Sequence, residues 1–173
     1  MDETIFAAVG AVLLLLLAGV FSALDAALST VSVARVEEMA KDGRYGAPRL
    51  SRMLQNRPRY INVVVLLHVM SLVATAVLFT VVFNDLIDSA AWALVTAAAV
   101  TTVSGYVVAG VGPRTLGRQH AYTIALASAM PLTVIGIVLS PLARLLVGVG
   151  NAVTPGGGFR NGPFATEIEL LEI

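Results

Sequence analysis

Three long runs of apolar residues, separated by short polar segments, dominate the pattern along the chain. They occupy residues 4–24, 61–83 and 90–112. An α-helix needs about 20 apolar residues to cross a hydrocarbon core of about 30 Å, and each run is long enough. The pattern therefore predicts an all-α integral membrane protein with three transmembrane helices.

The segment between the first two runs, residues 25–60, has an amphipathic pattern instead. Ser32 is suited to cap a helix in which Val33 and Val36 share one apolar face, and a second short helix ends before Pro58. We expect a pair of short amphipathic helices on the cytoplasmic side of the membrane.

A fourth apolar segment, residues 121–150, is long enough to cross the membrane but is interrupted. Pro131 and Pro141 divide it into pieces near ten residues long, and Arg144 lies in the last piece. Pieces of that length are more often interfacial or re-entrant. We expect a broken belt of juxtamembrane helices on the cytoplasmic face, with a fourth crossing as the alternative.

The distribution of basic residues predicts the orientation. Seven of the eleven Lys and Arg residues lie within residues 25–60, whereas the acidic turn 84–89 has none. Cytoplasmic segments carry the excess of Lys and Arg. The prediction is a multi-pass protein of the plasma membrane with its N-terminus outside and its C-terminus in the cytoplasm. Acidic Asp2 and Glu3 before the first run are unlike the basic start of a secretory signal.

Composition narrows the classes of function. The chain is 57% hydrophobic and 13% charged, has zero formal net charge and contains no cysteine. Lipid is therefore its main solvent, nucleic acid is not an expected partner, and thiolate chemistry is excluded. Paired carboxylates, nucleophile triads and phosphate-binding glycine loops are missing from the sequence, so we expect no enzyme.

The C-terminal part differs from the membrane domain, which we assign to residues 1–153. Residues 154–163 are rich in glycine and proline, which predicts a linker. Residues 164–173 resemble the opening of an acidic amphipathic helix. We expect a soluble module to follow Ile173 in the full-length protein.

Three motifs in the same order resemble the membrane domain of the CNNM/CorC family. Residues 21–28, FSALDAAL, resemble the family signature FSASETAL at the end of its first span. The amphipathic pair before NRPR at 56–59 is similar to the family's helical pair. Residues 109–116, AGVGPRTL, resemble the family motif GEIxPKTL.

This resemblance implies a fold and a function. The fold is three transmembrane helices with a juxtamembrane belt, assembled as a homodimer. The function is divalent cation transport, usually magnesium export, gated by a pair of nucleotide-binding CBS domains that would follow Ile173.

Two ligand positions of the family are changed in this chain. The acidic residue of the third span falls on Gly110, and a Gly-Asn pair of the second span falls near His68 and Val69. Ser22 alone stands where the family has a ligand. Backbone carbonyls around Gly110, Gly112 and Pro113 could add oxygens, but neutral carbonyls alone would hold Mg²⁺ weakly.

Other polar residues of the spans are candidates for an ion pathway. Asp25 could line a cytoplasmic vestibule, or be solvated at the helix end or paired with an arginine. His68 could bond across helices as a neutral ring, or act as a ligand or proton relay. Ser71 belongs to a set of hydroxyl residues that either line a pore or bond to backbone within their own and neighbouring helices: Ser71, Thr75, Thr101, Thr102 and Ser104.

The end of the third span is marked by Pro113, Arg114 and Arg118. A proline followed by arginines at the headgroups is typical of the cytoplasmic end of a membrane helix. We therefore treat Arg114 and Arg118 as cytoplasmic anchors.

Two functions fit the sequence. The first is a divergent CNNM/CorC-type magnesium transporter or efflux component. The second is a non-transporting membrane subunit that kept the fold, lost the ion site and regulates or assembles with a partner membrane complex.

Overall fold

The computed structural model describes residues 2–153, which form helices and short connections without β-strands. The expectation of an all-α protein is confirmed for this part of the chain. The helices are α1 (Asp2–Thr30), α2 (Val33–Lys41), α3 (Ala47–Leu54), α4 (Arg57–Leu86), α5 (Ala90–Ser104), a π-helix (Gly105–Val111), α6 (Gly112–Gln119) and α7 (Ala121–Val153). The linker 154–163 and the connector 164–173 lie outside the described residues.

The first two predicted spans are present as α1 and α4, which pack extensively against each other. One face of α1 is buried and consists mainly of small residues, with Ala7, Ala11 and Ala18 around Leu15. Small side chains allow helix backbones to approach closely within a membrane. Both helices extend beyond the apolar runs, α1 to Thr30 and α4 from Arg57 to Leu86.

The third predicted span continues without interruption from Ala90 to Gln119. Within it the hydrogen-bonding pattern widens to that of a π-helix over Gly105–Val111 and returns to an α-helix at Gly112. Pro113 stands in the first turn of α6, where a missing N–H is tolerated.

The amphipathic pair is present as α2 and α3. Gly43 and Gly46 in their connection have φ of 72° and 82°, values that favour glycine. Val36, Leu50 and Met53 are buried in one core together with the end of α1 and the start of α4. This core extends to Ala125 and the residues around it on α7.

The prediction that residues 121–150 form a broken belt is wrong in one respect, because α7 is a single helix of 33 residues. Pro131 and Pro141 lie inside it with exposed rings, so neither ring disturbs packing against the rest of the protein. Nearby hydroxyls bond to the helix's own carbonyls, as Thr133 Oγ1 does to Ala129 O at 2.6 Å. Membrane helices tolerate internal prolines. The described chain thus has four helices that are long and apolar enough to cross a membrane, where three were predicted.

The side-chain contacts of α7 lie at one end of the α1–α4 pair. Its Tyr122 hydroxyl accepts a hydrogen bond from Ser32 N at 3.3 Å, and its ring lies 5.0 Å from the Arg35 guanidinium. Farther along, Gly136 O accepts from Arg59 Nη2 at 3.3 Å, and Ser140 Oγ accepts from Arg59 Nε. These contacts of α7, from Tyr122 to Ser140, therefore all lie near the end of α1 and the start of α4.

Candidate cation site on α1

Ser22 and Asp25 are the central residues of the site. They are three residues apart on α1 and therefore lie on the same face, one turn from each other. Ser22 is 2% exposed. Ser22 Oγ and Asp25 Oδ1 are both buried and have no hydrogen-bond partner among the described residues. Buried polar oxygens are usually paired, so this pair of oxygens is a candidate for binding a ligand or water.

Glycine residues bring this part of α1 close to the π-helix and to α6. A Cβ on Gly19 would lie 2.9 Å from Val108 O and 3.2 Å from Pro113 Cγ. A Cβ on Gly117 would overlap the carbonyl oxygen of Ala23 and lie 2.9 Å from its Cα. Because no side chain separates the backbones at these two points, α1 and the π-helix–α6 segment are in direct contact beside Ser22.

The π-helix supplies irregular backbone at the same level. π-Helical segments are rare and often occur at functional sites. Pro113 has no N–H, so a carbonyl in the preceding turn lacks its helical donor. Backbone oxygens that helix hydrogen bonds leave free can act as ligands within a membrane protein when they face a cavity.

His68 connects α4 to this region. Its Nδ1 lies 2.9 Å from Ala18 O, one turn before Ser22 on α1. A carbonyl only accepts, so Nδ1 carries the proton, and the Nε2 of a neutral ring is then the acceptor. The hydrogen bond across helices agrees with the first interpretation of His68, and it leaves Nε2 available to a ligand.

A cavity of about 450 Å³ opens beside Asp25. Asp25, Ser29 and Thr30 of α1 line it together with Arg114 and Arg118 of α6. Arg114 is near enough for its charge to act on the Asp25 carboxylate. The two arginines predicted as anchors therefore share a cavity with the candidate vestibule residue. Sequence reasoning missed Ser29 and Thr30, although Ser29 follows Asp25 by one helical turn.

Gly110 and Gly112, predicted near the site, lie on or beside the π-helix. Gly110 is half-buried, and a Cβ added there would meet only Gly105 O at 3.5 Å, an ordinary contact. Position 110, where the family motif has a glutamate, thus has room at its Cβ for a side chain. A Cβ on Gly112 would lie 3.6 Å from Val107 O.

The hydroxyl residues of α4 and α5 mostly bond to their own helices. Thr75 Oγ1 donates to Ser71 O at 2.8 Å, Thr102 Oγ1 to Ala98 O at 2.8 Å and Ser104 Oγ to Val100 O at 2.6 Å. This agrees with the back-bonded interpretation for these three. Ser71 is buried one turn after His68. Thr101 Oγ1 is buried without a partner in the described part of the chain.

The donor set is sparse for a metal centre. Among residues 2–153, no three His, Cys, Asp or Glu side chains come together to hold a metal ion. Asp25 is the one carboxylate of the cluster, and the oxygens of Ser22 and of the backbone carbonyls are neutral. One carboxylate with neutral oxygens suits weak binding of a partly hydrated cation better than a tight metal centre.

Comparison with known proteins decides the family. The sequence matches the CNNM family, described as the Cyclin M transmembrane N-terminal domain, over residues 9–173. The chain belongs to the CNNM family. The resemblance seen in the three motifs is therefore confirmed, and this CNNM domain is a multi-pass membrane domain.

Relatives of this CNNM domain occur in mycobacteria and cyanobacteria. UPF0053 proteins of Mycobacterium bovis and Mycobacterium tuberculosis are each 54% identical over 164 residues, which is 95% of this chain and 38% of theirs. A UPF0053 protein of Synechocystis sp. is 27% identical over 164 residues, covering 94% of this chain and 46% of its own. The chain thus spans less than half the length of the curated relatives that it matches.

Proposed function

We propose that this CNNM domain is the membrane part of a divalent cation transporter or efflux component, with Mg²⁺ as the cation. One observation carries the proposal. Ser22 Oγ and Asp25 Oδ1 are buried oxygens without hydrogen-bond partners among residues 2–153, and they lie one turn apart on α1. Mg²⁺ binds oxygen ligands and is usually held by one or two carboxylates with several waters retained.

Each residue of the site has a separate part in this proposal. Asp25 supplies the charge that attracts the cation, and Ser22 Oγ supplies a neutral oxygen one turn deeper. The carbonyls of the π-helix beside Gly110 and Pro113 complete the polar wall of the path. His68 and Ser71 of α4 line the opposite side, where Nε2 of His68 bonds a water of the hydrated ion.

Arg114 and Arg118 limit how tightly the cation is held. Their positive charges share the cavity with Asp25 and oppose the entry of a second positive charge. Weak binding suits transport, because an ion must leave the site as well as enter it. We propose that Arg114 offsets the charge of Asp25 when no cation is present.

The arrangement in the membrane is part of the proposal. α1, α4 and the helix from Ala90 to Gln119 cross the bilayer, while α7 lies against one membrane surface. This is supported by the side-chain hydrogen bonds of α7 to the rest of the chain, whose partners Ser32 and Arg59 lie in the segment 25–60. The excess of basic residues in that segment supports a cytoplasmic location, with the N-terminus outside. The domain assembles as a homodimer, and CBS domains follow Ile173.

A second function is favoured by a different observation. The described chain lacks a cluster of three metal-binding side chains, and glycine stands at position 110. On this basis the alternative is a non-transporting subunit that regulates or assembles with a partner membrane complex.

Magnesium flux into dye-loaded proteoliposomes distinguishes the two functions. The protein that carries this domain is compared with Asp25→Asn and Ser22→Ala, and with Asp88→Asn as the matched control. Asp88 is an exposed carboxylate between α4 and α5, so the same chemical change is made away from the site. Transport predicts flux that Asp25→Asn abolishes, Ser22→Ala reduces and Asp88→Asn leaves unchanged. Absence of flux in the unmodified protein, or equal loss in both carboxylate variants, would contradict transport through this site.

A further inference from the structure

A groove between α3 and α7 lies away from the cation site. It has a volume of about 330 Å³ and is lined by Tyr45, Gly46 and Arg49 on one side and by Leu126, Met130 and Pro131 on the other. A second cavity of about 200 Å³ shares the α3 side and adds Arg52. The groove thus has an apolar wall from α7 and a basic rim from α3.

The basic rim is suited to a phosphate. Arg49 and Arg52 are three residues apart on α3 and therefore on neighbouring positions of one face. Arg52 Nε donates to Pro48 O at 3.3 Å, which leaves the terminal nitrogens of its guanidinium to bind a ligand. Arginine pairs with phosphate oxygens through two parallel N–H groups.

The apolar wall continues into a longer apolar surface on α7. Met130, Val134, Ile137 and Val138 are all exposed, by 59 to 70%, and follow one another at helical spacing. Tyr45, which is 90% exposed, stands at the junction of the basic rim and the apolar wall. Tyrosine is enriched at the level of lipid headgroups, where one side of the ring is apolar and the other is wet.

Pro131 adds a polar feature to the groove. It has no N–H to donate to the carbonyl of Ala127, which lines the same groove. That carbonyl therefore lacks its usual helical donor and can accept from a hydroxyl group. The phosphate-binding rim, the hydroxyl acceptor and the apolar stripe match the phosphate, the headgroup hydroxyl and the acyl chain of a phospholipid.

We propose that this groove binds an anionic phospholipid with a hydroxylated headgroup. The phosphate lies between Arg49 and Arg52, the headgroup hydroxyl donates to Ala127 O, and an acyl chain follows the stripe from Met130 to Val138. The proposal rests on the placement of α7 at the membrane surface and is independent of cation transport. The bound lipid joins α3 to α7 and so stabilises the surface helices against each other.

Native mass spectrometry of the purified chain in mild detergent tests this lipid site. Phosphatidylglycerol is titrated against phosphatidylcholine with the same acyl chains, and inorganic phosphate is added as a free competitor. Hydrogen bonds between arginine and phosphate are charge-assisted, so loss of both side chains should weaken binding about tenfold or more. Arg49→Gln with Arg52→Gln is the test variant. Lys41→Gln with Arg44→Gln is the control, since it removes two charges from exposed positions that do not line the groove.

The site predicts that phosphatidylglycerol binds more tightly than phosphatidylcholine, that the test variant loses this preference and that the control keeps it. Inorganic phosphate leaves the lipid bound. Equal weakening in both double variants would show diffuse charge attraction, and displacement by phosphate would show a free-anion site. Either result overturns the proposal. If the test variant does not fold, Ala127→Phe fills the groove from an exposed position with all charges kept, and retained lipid preference in that variant would overturn it as well.

Discussion

At the scale of single residues, the absence of a side chain shapes the site as much as the polar groups do. Gly19 and Gly117 allow α1 to touch the π-helix and α6 on either side of Ser22. The signature at 21–28 already indicates Ser22 and Asp25 from the sequence. The contacts of Gly117 could not be predicted, because no local pattern says which helix faces a glycine.

Gly117→Ala is expected to destabilise the domain. The new Cβ would overlap the Ala23 carbonyl, and both groups belong to backbones that cannot move independently. Overpacking of this kind costs about 1–3 kcal/mol, and more where the neighbour is rigid. Thermal unfolding in detergent should show a clearly lower Tm. Gly148→Ala is the control, since a Cβ there meets nothing within 4 Å, and its Tm should be unchanged or slightly higher. Equal Tm values for the two variants would contradict the close contact.

At the scale of secondary structure elements, α7 shows where sequence reasoning failed. The two prolines correctly marked an unusual helix, but they do not divide it, because their rings are exposed and hydroxyl and arginine side chains bond to the helix around them. Partners such as Arg59 are more than 70 residues away in sequence. A pattern confined to residues 121–150 therefore could not reveal what supports the helix.

Arg59→Ala is expected to loosen α7 from α4. Arg59 donates to Gly136 O and Ser140 Oγ, and hydrogen bonds from charged groups contribute about 1.5–3 kcal/mol. Denaturant unfolding should show a loss of about 2 kcal/mol in the free energy of unfolding. Arg144→Ala removes the same side chain from an exposed position on α7 and should have little effect. A smaller loss for Arg59→Ala than for Arg144→Ala would be inconsistent with this contact.

At the scale of the whole molecule, the apolar runs predicted more than local detail did. The helices α1, α4 and Ala90–Gln119 coincide with the three predicted spans, and the amphipathic pair lies between the first two. Hydropathy is sufficient to locate these three helices, because a lipid-facing helix must be apolar over its whole length. It does not decide the placement of α7, because the length and composition of this helix fit a crossing, whereas its hydrogen bonds lie at one end of the α1–α4 pair.

Single-cysteine labelling determines the placement of α7. The chain has no native cysteine, so Arg44→Cys, Asp85→Cys and Gly148→Cys each give one reactive site. We expect membrane-impermeant reagents to reach position 85 from outside, and positions 44 and 148 only from the cytoplasm. Labelling of position 148 from the same side as position 85 would show that α7 crosses the bilayer.

Isothermal titration calorimetry with Mg²⁺ tests the central claim, a cation site on α1 whose single carboxylate holds Mg²⁺ weakly. The unmodified chain should bind weakly or undetectably at millimolar Mg²⁺, because neutral oxygens and one carboxylate offset little of the cost of dehydrating this ion. Gly110→Glu should give measurable binding, since the position has room for a side chain, and adding Asp25→Asn should remove it again. Tight binding by the unmodified chain, or binding by Gly110→Glu that survives Asp25→Asn, would contradict the account.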